Sequence, residues 1–292
     1  MPVNDELGKR MKEFYENVPK TRLVRRMPVA IRIDGKAFHT FTKGFAKPFD
    51  EVLIKAMQNT MKYLCENIQG CVLGYHQSDE ITLILIDYKK LTSAAWFDYE
   101  VQKVCSIAAS MTTMAFNKFF AEEVKRFNYN IPREHNEDLN RKMYDQYAVY
   151  SRALSKGAMF DARCFNIPKE EVTNLIYWRQ VDAARNSVQM VGQANFSHKE
   201  LHEKSCNEIQ DMLMTQKGIN WNDFPTYQKR GSCCIKSDRT TTASVDGKTI
   251  AVERPHWIID NDIPQFKNEA REYVDRLIRV SDACPCQPIV IY

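Results

Sequence analysis

Two short runs of this chain end on carboxylates in settings where carboxylates do chemistry. The first is Pro28-Val29-Ala30-Ile31-Arg32-Ile33-Asp34-Gly35, an apolar stretch that closes on an acid with a glycine behind it. The second is the polar turn Gln77-Ser78-Asp79-Glu80, set between Cys71-Val72-Leu73-Gly74-Tyr75 and Ile81-Thr82-Leu83-Ile84-Leu85-Ile86. Hard divalent cations such as Mg²⁺ take oxygen ligands and share them with a phosphate-bearing substrate, so acids at two neighbouring strand ends, with a glycine carbonyl beside them, have a suitable donor set. Carboxylates holding two ions about 4 Å apart are a common phosphoryl-transfer device. Singly, Asp34-Gly35 reads as a turn and Asp79-Glu80 as a solvated hairpin tip. Each caps a buried strand, and together they read as a metal site.

The elements that must position these acids follow from the pattern around them. Aliphatic runs flanking a short polar turn form a β-hairpin, and side chains of adjacent residues at its tip point to opposite faces, so one of Asp79 and Glu80 can face a ligand while the other faces elsewhere. If the strand ending at Asp34 pairs with this hairpin, Asp34 and Asp79 come side by side. Amides in the turn after Asp34-Gly35 can cradle phosphates, and Lys47 can add a positive charge. His39, five residues past the acid, is an arguable site residue. The basic run Lys20-Thr21-Arg22-Leu23-Val24-Arg25-Arg26 reads as a solvated linker or as a contributor to the field around a phosphate chain.

Asp50 is a good N-cap for a helix to about Asn67, with Leu53, Met57, Met61, Leu64 and Ile68 on one face. A second long helix is expected from about Ala94 to Phe127, striped by Phe97, Val101, Val104, Ala108, Met111, Ala115 and Phe119, and a strand from Gly157 to Phe165. The order β-α-β-β-α-β predicts an α+β fold: a polymerase-palm-like (ferredoxin-like, split βαβ) antiparallel sheet with helices on one face, then a mostly helical C-terminal part. Residues 1–167 would form the palm-like catalytic domain, with an insertion or lid at about 128–153. Residues 168–292 would form a helical region packed on the palm and carrying a β-hairpin. There a helix is expected from Pro168 to about Met190, another opened by the capping box Ser197-His198-Lys199-Glu200 and ending near Gly218, a hairpin turn at Val245-Asp246-Gly247-Lys248, and a last helix from Phe266 to Val280. An amphipathic helix is expected at Asp5 to Tyr15.

Composition narrows the function class. Hydrophobic residues make up 44% and aromatic residues 11% of the 292, which fits a globular chain with a sizeable core. No apolar run approaches the ~20 residues of a membrane span, the N-terminus lacks a signal-peptide core, and the nine cysteines are scattered, so a soluble cytoplasmic protein with reduced thiols is expected. Cys233-Cys234 and Cys284-Pro285-Cys286 lack the usual zinc or redox spacing. His198 and His202 have no third ligand in view and read as a solvated face. A net charge of +4 permits nucleic-acid binding without demanding it.

Arg32-Ile33-Asp34-Gly35-Lys36-Ala37-Phe38-His39, Phe45-Ala46-Lys47-Pro48, Gln77-Ser78-Asp79-Glu80, Phe160-Asp161-Ala162-Arg163, Trp178-Arg179-Gln180 and Tyr227-Gln228-Lys229-Arg230-Gly231 resemble, in that order, the motifs of the tRNA-His guanylyltransferase family, from about residue 28 to 236. The resemblance implies a template-dependent polymerase that adds nucleotides to the 5′ end of tRNA in the 3′-to-5′ direction, after activating a 5′-monophosphate with ATP or GTP. It implies that Asp34, the Gly35 carbonyl and Asp79 hold two Mg²⁺ ions, with Glu80 a further acid of the catalytic motif. Asp34, Gly35, Lys36, Ala37, Phe38, His39, Ser78 and Asp79 match the nucleotide-binding segment, with Lys47 and Arg163 near the triphosphate. Arg32, Arg179, Asn186, Lys229 and Arg230 fall on positions that contact tRNA or support the site. It also implies a homotetramer acting on tRNA and nucleoside triphosphates, away from membranes. Where tRNA-His-specific members carry His-Ile-Asn-Asn, this chain has Ala184-Arg185-Asn186-Ser187. That favours the guanylyltransferase-like branch, which repairs 5′-truncated tRNAs. The alternatives are a palm-type nucleotide cyclase, disfavoured by the Ser78-Asp79-Glu80 turn in place of a glycine pair, and a catalytically silent RNA-binding protein, disfavoured because a pure binder has no use for acids beside an anionic ligand.

Overall fold

Asp5 accepts a hydrogen bond from the Gly8 amide and caps α1 (Glu6–Met11), the first element of a computed structural model whose described residues are 5–132, 137–245 and 248–280. None of the residues of α1 is buried. Then come β1 (Val29–Gly35), the short α2 (Phe38–Phe41), α3 (Glu51–Asn67), β2 (Cys71–Gln77), β3 (Glu80–Leu85), α4 (Val101–Tyr129), α5 (Glu137–Lys156) and β4 (Phe160–Asn166). The chain continues as α6 (Lys169–Asn195), α7 (His198–Leu201), α8 (Cys206–Lys217), α9 (Thr226–Arg230), β5 (Ser232–Val245), β6 (Lys248–Asp260) and α10 (Glu272–Ile278).

All six strands join one antiparallel sheet in the order β4-β1-β3-β2-β5-β6. β1 therefore sits between β3 and β4, with Asp34 opposite Glu80 on one side and Asp161 on the other. Pairing with the hairpin through β3 brings the two acid-bearing strand ends together.

Strand periodicity splits the core in two. Val29, Ile31 and Ile33 face α3 and α4, where they meet Met57, Met61, Leu64, Val104, Phe116 and Phe120. Ala30, Leu73, Tyr75 and Ile84 face the other way, onto Val172, Leu175 and Ile176 of α6 and Val274 and Ile278 of α10. Gly74 lies so close to α3 that a Cβ there would fall 2.6 Å from Cys65 Sγ and 2.8 Å from Met61 Cγ. The fold is α+β, as expected, but helices cover both faces, because β-branched strands that are apolar on both sides need two covers.

Several elements differ in detail from expectation. The hairpin expected beyond α6 joins the palm sheet itself: β5 pairs with β2, whose backbone would otherwise be an open edge. The supposed lid is largely α5, whose inner face is built on Tyr147, Tyr150 and Ala153, residues that hide an amphipathic pattern. The long helix starts at Val101, not near Ala94, since Phe97, Asp98 and Tyr99 have left-handed φ of 48°, 51° and 53°. A second capping box, Ser205 with Glu208, breaks the helix opened by Ser197 into α7 and α8, so His198 and His202 share no continuous helix face. The final helix shortens to Glu272–Ile278. β5 and β6 form the expected hairpin, with Val245 opposite Lys248; its Asp246-Gly247 turn and Cys284-Pro285-Cys286 lie outside the described residues.

Candidate active site

β1 delivers Asp34 and Gly35 to the end of the sheet, and the β2–β3 turn delivers Ser78 and Asp79 to the same place. All four line one cavity of about 600 Å³, together with Ala37, His39, Lys47 and Gln193. Gly35 is a glycine for a local reason: a Cβ there would lie 2.1 Å from the Phe38 ring, which is wedged among Phe41, Phe116 and Phe160. Past it the chain turns through left-handed Ala37, φ 51°, into α2, whose start has no capping side chain. Asp50 then secures the loop carrying Lys47. Its carboxylate caps α3 at the Leu53 amide and accepts hydrogen bonds from the Ala46 amide at 2.9 Å and the Tyr150 hydroxyl at 2.7 Å.

The turn bearing Asp79 is held from below by His76. Ser78 has a left-handed φ of 52°, and His76 Nε2 lies 3.0 Å from the Ser78 carbonyl oxygen, which can only accept, so Nε2 is the protonated ring nitrogen of this neutral histidine. Burial lowers the His76 pKa to about 4. The Ser78 hydroxyl donates to Asp79 Oδ1 at 3.1 Å.

Electrostatics separate the three acids. Burial raises the Asp34 pKa, and the charges of Glu80 and Asp161 raise it further, against a pull from Arg163 and Arg32. Asp79 is raised by burial and next by Asp34 itself. Glu80 does not join them at the cavity. Its carboxylate accepts from Arg179 Nε at 2.7 Å, Arg179 Nη2 at 2.8 Å and Arg32 Nη2 at 2.8 Å, which occupies it with structural bonds. Expected among the acids of the catalytic motif, Glu80 stands off the cavity and braces β3 against β1 and α6.

With Arg32 and Arg179 spent on Glu80 and Arg163 paired to Asp161 at 3.2 Å, no side chain among the described residues forms an ion pair with Asp34 or Asp79. Two half-buried acids brought to one cavity without an ion-pair partner of their own are suited to a cation. No group of three or more His, Cys, Asp or Glu residues among the described ones forms a complete cage. The two carboxylates at the cavity, Asp34 and Asp79, suit a cation such as Mg²⁺ that keeps waters and takes substrate phosphates alongside one or two carboxylates.

The other expected site residues disperse. The Lys36 amide donates to the Met159 carbonyl, and its side chain is not at the cavity. Asn186 lines an adjoining cavity with Ser78, Met190, Tyr227 and Gln228. Lys229 is buried and donates to the Asn222 carbonyl, its pKa lowered chiefly by burial. Arg230 lines a separate cavity with Tyr177 and Trp221. Sequence reasoning missed Asp50 as a site support and Gln193 as a wall. Ala183, Asn186, Met190 and Gln193 recur at helical spacing, so the face of α6 that passes both cavities was readable from that period.

A family model described as tRNAHis guanylyltransferase matches residues 8–168. A solved structure described as a bacterial tRNA(His) guanylyltransferase (Thg1)-like protein in complex with ATP is 41% identical, with a TM-score of 0.74, covering 94% of this chain and 99% of that one. A bacterial structure of the same description in complex with GTP is 38% identical, with a TM-score of 0.70 and the same coverage. The tRNA(His) guanylyltransferase of Saccharomyces cerevisiae is 28% identical over 218 residues, 70% of this chain and 80% of the yeast protein.

Proposed function

This chain belongs to the tRNAHis guanylyltransferase family, and from that premise we propose that it is an Mg²⁺-dependent nucleotidyltransferase of the guanylyltransferase-like branch that rebuilds truncated tRNA at the 5′ end. As a member of the family it is a nucleotidyltransferase that adds nucleotides to tRNA. One observation carries the site assignment: Asp34, Gly35, Ser78, Asp79 and Lys47 converge on one cavity, in a chain whose relatives of known structure hold ATP and GTP.

Asp34, the Gly35 carbonyl and Asp79 would hold two Mg²⁺ ions. When bound, the ions would lower the pKa of the attacking 3′-hydroxyl and neutralise charge on the leaving group of each step, pyrophosphate when the 5′-monophosphate is activated and the activating nucleoside monophosphate when the 3′-hydroxyl attacks, so no side-chain nucleophile is required. The protein's own groups do the rest. Lys47 offers the triphosphate a cation, the start of α2 offers it main-chain amides, and Ser78 fixes the orientation of Asp79. The Glu80 clamp keeps the two acid-bearing strand ends in register. Ala184-Arg185-Asn186-Ser187 supports the branch assignment, and Ser187 is engaged in accepting the Trp221 indole N–H at 3.0 Å. Assembly as a homotetramer and residence in the cytoplasm complete the proposal. Among the described residues no helix is long and apolar enough to cross a membrane.

The test is incubation with Mg²⁺, ATP, labelled nucleotides and a tRNA lacking its 5′ nucleotide. Templated 5′ extension that stops when the metal is chelated is the expected result. A cyclic nucleotide formed without RNA, or RNA binding with no product, would overturn it.

A further inference from the structure

Trp178 stands on α6 with 54% of its surface exposed, immediately before the arginine that clamps Glu80. The guanidinium groups of Arg179 and Arg32 lie over its ring, 4.5 Å and 5.4 Å from the centroid. Both cations are fixed by Glu80, so the indole rests on an immobile base. The Nε of Arg32 is buried with no hydrogen-bond partner, which leaves the electron-rich indole face as its counterpart. A large, rigid and open ring is costly to expose, and this one contributes little to the core.

Its place relative to the acids is set by the sheet. Arg32 and Asp34 are two residues apart on β1 and share a face; opposite them on β4 are Arg163 and Asp161, whose side chains are 56% and 62% exposed. Trp178 does not line the cavity that contains Asp34 and Asp79. The ring thus lies outside the cavity that holds Asp34 and Asp79, on the α6 side of the sheet and against Arg32 of the strand that carries Asp34. The 5′ end of a base-paired RNA stem presents there the two groups this surface can hold: a terminal phosphate, and an unstacked base face for which an aromatic ring is the standard protein partner.

We propose that Trp178 is the platform on which the 5′-terminal base of the RNA substrate stacks, holding the end of the stem beside Asp34 with Arg163 as the cation for its phosphate. This rests on the reading of the site as one that acts on RNA 5′ ends. The occupant is the RNA end and not the base of the incoming triphosphate.

The experiment uses the full chain and an RNA hairpin with 2-aminopurine at its 5′ terminus, with Mg²⁺ and no triphosphate. The wild-type protein should quench the fluorophore on binding. Trp178→Ala should abolish the quench and weaken RNA binding by roughly 5- to 150-fold, as expected for one lost stacking contact, with the KM for ATP unchanged. Trp178→Phe should keep most of the binding, whereas Trp178→Leu, which retains apolar bulk without a π-face, should behave like Trp178→Ala. Wild-type quench and affinity in Trp178→Ala or Trp178→Leu would overturn the proposal, as would an equal loss of ATP affinity. If the wild-type protein quenches but never extends RNA, the reaction assignment fails and the platform stands. If it extends RNA and the Trp178 variants do so with an unchanged KM for RNA, the platform fails alone.

Discussion

Glu80 and Arg179 form a fork-to-fork ion pair, Nε to Oε1 at 2.7 Å and Nη2 to Oε2 at 2.8 Å, with side chains only 7% and 8% exposed. Removing Arg179 strips the buried Glu80 carboxylate of two of its three arginine hydrogen bonds and leaves Arg32 as its single cation. Arg179→Ala should therefore cost about 2–3 kcal/mol, less than the full loss of a buried charge's partner, measured by urea unfolding. A loss below about 1 kcal/mol would place this pair with weak surface bridges.

Asp34 and Asp79 should respond in the opposite way. Asp34 is among the causes that lift the Asp79 pKa, and the Asp34 pKa is itself lifted by burial and then by Glu80 and Asp161. Asp34→Asn or Asp79→Asn should reduce nucleotide addition roughly a hundredfold or more while leaving the melting temperature unchanged or higher, because the repulsion is relieved. Full activity in both variants would sink the metal-site assignment.

His76 predicts an acid sensitivity. Its folded pKa is lowered to about 4 by burial, against 6.5 in the unfolded chain. Between those values the unfolded state takes up a proton that the folded state refuses. This contribution to stability is therefore whole above pH 6.5 and is lost as pH falls toward 4, by about 3 kcal/mol in total. Denaturant titrations across that window should show the decline, and His76→Gln should flatten it relative to wild type.

Gly231 joins α9 to β5 at φ +84°, and a Cβ there would sit 2.3 Å from the His76 carbonyl oxygen. Gly231→Ala should cost about 2 kcal/mol or more, combining backbone strain with a clash against main chain. Gly218→Ala, at φ +66° with nothing within 4 Å, should cost only about 1 kcal/mol. Thermal melts of the two variants give the comparison.

What could be read directly was local. The β-branched run before Asp34, the hairpin around Asp79 and the Asp50 cap each declare themselves within a few residues, and they locate the acids. What escaped depends on distant partners. Nothing near Glu80 reveals that its carboxylate is claimed by an arginine 99 positions away. Nothing in Cys233-Cys234 announces that β5 will close the open side of β2. The face of α5 was obscured because tyrosine and alanine serve as its apolar residues, and the break between α7 and α8 because the second capping box follows the first so closely. Lys229 and Arg230, side by side in the chain, are drawn to different surroundings by the turn of α9.

The position of β1 between β4 and β3 has a consequence for assembly. Whatever grips Asp34 and Asp79 at once ties together segments that meet only in the finished sheet, so a half-folded chain has nothing to offer it. Occupancy would act as a stitch across the whole palm, raising the melting temperature with ligand concentration by mass action, and no fragment ending before β2 would retain affinity.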